Sequence, residues 1–147
     1  MCPIRTRSGP STPGSDGEVS PEAGIISVPV SGSVDSIVER LVSLIAARSM
    51  KVFAVIDHAE EASKAGLSLR ATKVVIFGSP VGGTPVMEAS PLAALDLPLK
   101  VLIWDDAGAT TVSYTDPAVL TERHGLSPAL SARLAGIGPL VESLVTI

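Results

Sequence analysis

From Gly24 onward the chain alternates short apolar runs with stretches of helical period. Gly24-Ile25-Ile26-Ser27-Val28-Pro29-Val30 reads as a β-strand, and Pro29, which cannot donate to a ladder, marks a sheet edge or a strand end. Val34, Ile37, Val38, Leu41, Val42 and Ile45 then recur at the spacing of one helical face, while Glu39, Arg40, Ser43 and Arg48 lie off it. Ser33 is placed to cap this helix, and Asp35 suits the positive end of its dipole. Such a helix packs on something flat. Lys51-Val52-Phe53-Ala54-Val55-Ile56-Asp57 predicts a second strand, followed by a short helix from His58 to Ala65 that stops at Gly66.

Thr72-Lys73-Val74-Val75-Ile76-Phe77-Gly78 is apolar enough for a central strand. Gly78 to Thr84 reads as a glycine-rich loop, leading into a helix from Pro85 to about Ala94. Leu99 to Trp104 and Ala109 to Tyr114 predict two further strands joined by a tight turn at Asp105-Asp106-Ala107-Gly108. Asp116-Pro117 and Ser127-Pro128 open terminal helices, the second divided near Gly136, Gly138 and Pro139. Strict βαβ alternation would predict a parallel sheet. The closing hairpin argues instead for an α+β sandwich, with helices on one face of a mainly antiparallel sheet.

Residues 1–23 break with this pattern. Pro3, Pro10, Pro13 and Pro21 alternate with serines and glycines at no helix or strand period, as expected of a flexible leader before a single domain over residues 24–147. Eleven basic against fifteen acidic side chains give a net charge of −4, which opposes electrostatic binding to nucleic acid or to anionic lipid. Aromatic residues are only 3%, too few for a stacking platform. The single cysteine, Cys2, cannot form an internal disulfide, and no Cys/His spacing predicts a metal site. No apolar run approaches the roughly 18 residues of a membrane span. The expectation is a cytoplasmic protein with no membrane partner and no resident cofactor.

Phe77-Gly78-Ser79-Pro80-Val81-Gly82-Gly83-Thr84-Pro85-Val86-Met87, with Ala94 to Lys100, Val112-Ser113-Tyr114 and the upstream block Phe53 to Ala59, resembles the bacterial and archaeal family called domain of unknown function 302. The likeness covers roughly Ile25 to Gly125. It implies a β-α-β4-α domain of the TATA-box-binding-protein-like class, associating as a homodimer. It also directs interest to His58, Gly78, Pro80, Gly83, Thr84, Met87, Asp96 and Tyr114 as one clustered site, to which the loop adds Ser79 as a ligand-binding candidate. One departure is Ser79, where the family commonly has Asn. The fold alone carries no function, because function belongs to sites.

The residues themselves support a short list of chemistries. Gly78, four residues, Gly83 and Thr84 imitate a phosphate loop, but Thr84 stands where the lysine is required. Nucleotide hydrolysis is therefore not expected, whereas a small molecule or small anion held at the start of a helix remains open. His58, after Asp57 at a strand end, is the candidate general acid/base, with Thr84 or Tyr114 assisting; a capping or packing role is its structural alternative. Asp96 before Leu97-Pro98 suits a turn, and Met87 suits core filling. The expected function is small-ligand or anion binding at Gly78–Thr84; an enzyme using His58 and a non-catalytic adaptor are the alternatives.

Overall fold

The computed structural model describes residues 23–145; residues 1–22, which hold most of the expected leader and Cys2, and residues 146 and 147 lie outside it. Five strands, β1 (Ile25–Pro29), β2 (Lys51–Asp57), β3 (Thr72–Gly78), β4 (Leu99–Asp106) and β5 (Ala109–Thr115), form one antiparallel sheet in the order β1-β5-β4-β3-β2. The expected α+β class holds, and Pro29 does lie on an edge strand.

Strand pairing assigns the two faces. Val28, Val112, Ile103 and Lys73 form one row across the sheet, and Val75 and Val101 join them on the same side. Helix α1 (Val34–Ala47) covers this side with Ile37, Leu41 and Ile45, none more than 1% exposed. Its cap is as expected, Ser33 Oγ accepting from the Ser36 amide at 3.0 Å. Helix α6 (Ile137–Val145) lies beside α1 and adds Leu140, Val141 and Leu144 to the same core. The Arg40 guanidinium ties the pair together, donating to the Ser143 and Leu144 carbonyls at 3.1 and 3.2 Å. Those carbonyls end a helix and have no acceptor role within it. The opposite sheet face carries Ile56, Val74, Leu102, Ser113 and Ser27 in register. There Trp104 Nε1 donates to Ser113 Oγ at 3.0 Å, and the Ser27 and Ser113 hydroxyls lie 2.7 Å apart.

The β4–β5 connection turns at Ala107 and Gly108, with φ of 53° and 97°, and Asp105 Oδ1 accepts from the Gly108 amide at 2.9 Å. Two positive φ values match the right-handed twist of the flanking strands. Helix α2 (His58–Lys64) follows β2, while α4 (Pro117–His124) and α5 (Pro128–Ala132) follow β5. The terminal helical region divides between α5 and α6, near the expected glycines.

One boundary differs from expectation. Helix α3 runs Pro80–Ala89, so most of the expected Gly78–Thr84 loop is helix, and the expected extension to Ala94 is a separate 3-10 turn, Pro91–Leu95. Ser79 caps α3, and Pro80 occupies its first position, where a missing N–H costs nothing. Pro85 inside the helix removes one backbone bond, and the complete burial of Val86 offsets that loss. Pro91, which cannot continue α3, starts the next turn.

Candidate functional site

Gly78, Ser79, Pro80, Gly83, Thr84 and Met87 line one cavity of about 330 Å³. It opens where the end of β3 meets the start of β2 and the first turns of α3. Met50, Phe53, Leu97, Pro98, Leu99 and Leu134 make the rest of its wall mainly apolar, and the exposed Arg133 is the one charged residue of the lining. Phe53 reaches it through a β-bulge: pairing with β3 shifts between Val52 and Ala54, and the extra residue is turned out of the ladder. Gly78 lies close to the wall on both sides: a Cβ there would make ordinary contacts, 3.5 Å from Pro98 and 3.8 Å from the Phe53 ring.

The polar side chains of the cavity are two hydroxyls, Ser79 and Thr84, and the cation Arg133. Ser79 Oγ accepts from the Gly82 amide at 3.2 Å, leaving its own O–H to donate. The Gly83 amide is taken by the Ser79 carbonyl at 2.7 Å, and Pro80 has no N–H. Of the first-turn amides of α3, that leaves the Val81 N–H, so a phosphate-style nest of backbone donors is not assembled here. The family's usual Asn would cap as Ser79 does, which removes the cost of the departure.

Three of the residues singled out from sequence lie elsewhere. His58 is exposed in the first turn of α2, at the far end of β2 from this cavity: Gly78 pairs with Lys51, whereas Asp57 pairs with Lys73. Six residue steps along β2 separate the two ends, about 20 Å. Asp57 does not orient His58; it accepts from the Glu60 amide at 2.9 Å and lies 3.7 Å from the Lys73 ammonium. Lys73 also meets Asp35 at 2.8 Å, and that contact, ahead of the burial that opposes it, raises its pKa.

Tyr114 lines a separate cleft of about 610 Å³, between the β1–β5 edge, α4 and α5, with Asp116, Thr121 and Ser131. Burial first, then the charges of Asp116 and Glu142, push its phenol above the ordinary range. Asp96 lines a third, smaller cleft with Lys100, Thr115 and Arg123. Its carboxylate accepts from His124 Nε2 at 2.7 Å and from Arg123 at 3.1 Å. The His124 bond is the leading cause holding Asp96 below the usual carboxylate range. His58, Thr84 and Tyr114 are thus not gathered into one cavity. Among the described residues there is no group of three or more His, Cys, Asp or Glu that would hold a metal.

Sequence reasoning missed Met50, Phe53, Leu97, Pro98, Leu99, Arg133 and Leu134 as cavity residues. Four segments distant in sequence supply the wall, and no periodicity signals that they meet.

A single antiparallel sheet with helices packed on one face defines an α+β domain, with a mainly apolar cavity at a strand–helix junction. The chain belongs to the family described as domain of unknown function DUF302, whose model matches residues 26–143. The crystal structure of an uncharacterised conserved DUF302 protein from Bacillus stearothermophilus superposes with a TM-score of 0.72 at 20% identity, covering 84% of this chain and 97% of that one. Among curated proteins, the chain is 36% identical over 126 residues to fluoride-specific ion channel FluC 1 of Brucella suis biovar 1 (strain 1330), covering 82% of this chain and 50% of that protein. FluC 1 of Brucella abortus biovar 1 (strain 9-941) matches at the same identity, over 47% of its length. The chain therefore spans about half the length of the curated relatives it matches. Among the described residues, no helix is long and apolar enough to cross a membrane.

Proposed function

We propose that this chain is a small-ligand-binding domain whose guest occupies the cavity beside the first turns of α3. The observation that carries the reading is the convergence of six residues singled out from sequence on one mainly apolar cavity with few polar groups. Its volume falls at the low end of ligand pockets, about 300–1,000 Å³, so the guest is small. The scarcity of free amides at the start of α3 favours a largely apolar molecule over a bare inorganic anion. The same proposal includes a homodimer, as the resemblance implies, and a cytoplasmic location, as the composition suggests.

A fragment set screened by ligand-observed NMR tests it, with Gly83→Leu as the control. A Cβ at Gly83 meets only ordinary contacts, 3.8 Å to Met87 and 3.9 Å to Leu97, and the larger side chain would fill the cavity. Fragments that bind the natural chain and lose binding in Gly83→Leu support the reading. Fragments binding both chains equally, or none binding either, sink it.

The relatives suggest a context. In this proposal, ion conduction by the proteins named fluoride channels belongs to the half that this chain does not match, and the matched half is an appended binding domain. The lack of a membrane-crossing helix among the described residues supports that division.

A further inference from the structure

We infer that the guest of this cavity is an apolar monocarboxylate, its acid group held at Arg133; the inference rests on the binding function proposed above and names its ligand class. Met50, Phe53, Met87, Leu97 and Leu134 offer a hydrocarbon tail a wall with no polar demand. No carboxylate lines the cavity. Its polar complement is donor-rich: the Ser79 O–H, the Thr84 hydroxyl and the Arg133 guanidinium.

Arg133 is distinguished from the other partnered arginines by having no bond to satisfy. Arg40 and Arg48 donate across to α6 and its Ser143, Arg123 holds Asp96, and Arg70 stacks over Trp104. The Arg133 backbone amide donates to the Leu130 carbonyl at 3.0 Å, but its exposed side chain has no hydrogen bond, ion pair or ring contact with any described residue. It sits at the C-terminal end of α5, and the next residue, Leu134, is 4% exposed and anchors the backbone there. A planar guanidinium on an anchored backbone at an apolar mouth matches the bidentate geometry of a carboxylate. An ammonium guest would meet this cation with no acid to offset it.

Calorimetric titration of the full chain with n-octanoate, octan-1-ol and n-octylammonium tests both levels, using the natural chain and Arg133→Gln. That substitution breaks no side-chain hydrogen bond, ion pair or ring contact with a described residue, and the variant is expected to keep its fold, which its thermal melt checks. Octanoate is expected to bind the natural chain at least tenfold more tightly than either octanol or octylammonium, and to lose at least tenfold in Arg133→Gln. Octanol should bind both chains alike. If octanol matches octanoate, or Arg133→Gln leaves octanoate unchanged, the carboxylate assignment fails while the cavity still binds. If none of the three binds the natural chain, and the fragment screen is also blank, the binding function itself falls.

Discussion

His124 Nε2 lies 2.7 Å from Asp96 Oδ2, joining the turn before β4 to the C-terminal end of α4 across 28 positions of chain. The His124 side chain is only 7% exposed, so the contact is largely sheltered from water. Arg123 completes the grip on Asp96 from the more exposed side.

That contact predicts a pH dependence. Asp96 is held below its ordinary value of 3.8, so its stabilising contribution is present above that value and is lost as pH falls through the lower, folded one. Asp96→Asn should therefore cost about 1–2 kcal/mol near pH 7, as expected for a charge-assisted bond. The gap to the natural chain should narrow as pH falls from 3.8 through the lower, folded value. Thermal melts of both chains from pH 2.5 to 7 measure it; a constant gap across that range contradicts the assignment.

Tyr114 is the only tyrosine, so absorbance at alkaline pH reads it without ambiguity. Its phenol should ionise above the ordinary value of 10.0, because burial and nearby carboxylates oppose the phenolate. Stability is then intact below that value and declines as pH rises through the folded one. Asp116→Asn keeps a good cap on α4 and removes one charge, so it should move the titration downward. An unchanged curve would mean the carboxylate does not act on the phenol.

Ser79→Ala should destabilise the domain by about 1 kcal/mol, since the α3 cap bond from Gly82 disappears. Ser79→Asn should lie within about 0.5 kcal/mol of the natural chain, because Asn caps as well as Ser. Urea denaturation separates the two; equal losses would place the role of Ser79 outside capping.

Two leucines should behave oppositely. Leu41, fully buried between α1 and the sheet, should cost about 2–5 kcal/mol as Leu41→Ala, from lost burial plus a cavity. Leu92, 70% exposed, should stay within about 0.5 kcal/mol as Leu92→Ala. The same denaturation series reads both, and a large effect at Leu92 would reveal a covering surface in solution.

Much of this architecture was legible in the residues. The stripe from Val34 to Ile45, its Ser33 cap, the Asp105–Gly108 turn and the alternating runs of the five strands are local signals, written at periods of 3.6 and 2 and in turn chemistry. So was half of the cavity, because Gly78 to Met87 is contiguous. The start of α3 was misread, since two glycines and an internal proline hide a helix that Ser79 and the burial of Val86 maintain.

Only the tertiary structure decided the rest. The order β1-β5-β4-β3-β2 puts the first strand beside the last, and nothing local encodes a pairing between Ile26 and Tyr114. That order carries Tyr114 to the strand next to the β1 edge and His58 to the end of the opposite edge strand, and leaves each outside the cavity that Gly78 borders. It also brings Arg133 and Phe53 to that cavity from opposite parts of the chain. Periodicity records which side of its own element a residue faces. Which element stands across from it depends on burying the α1 and α6 faces against the one sheet surface that fits them, a property of the whole chain.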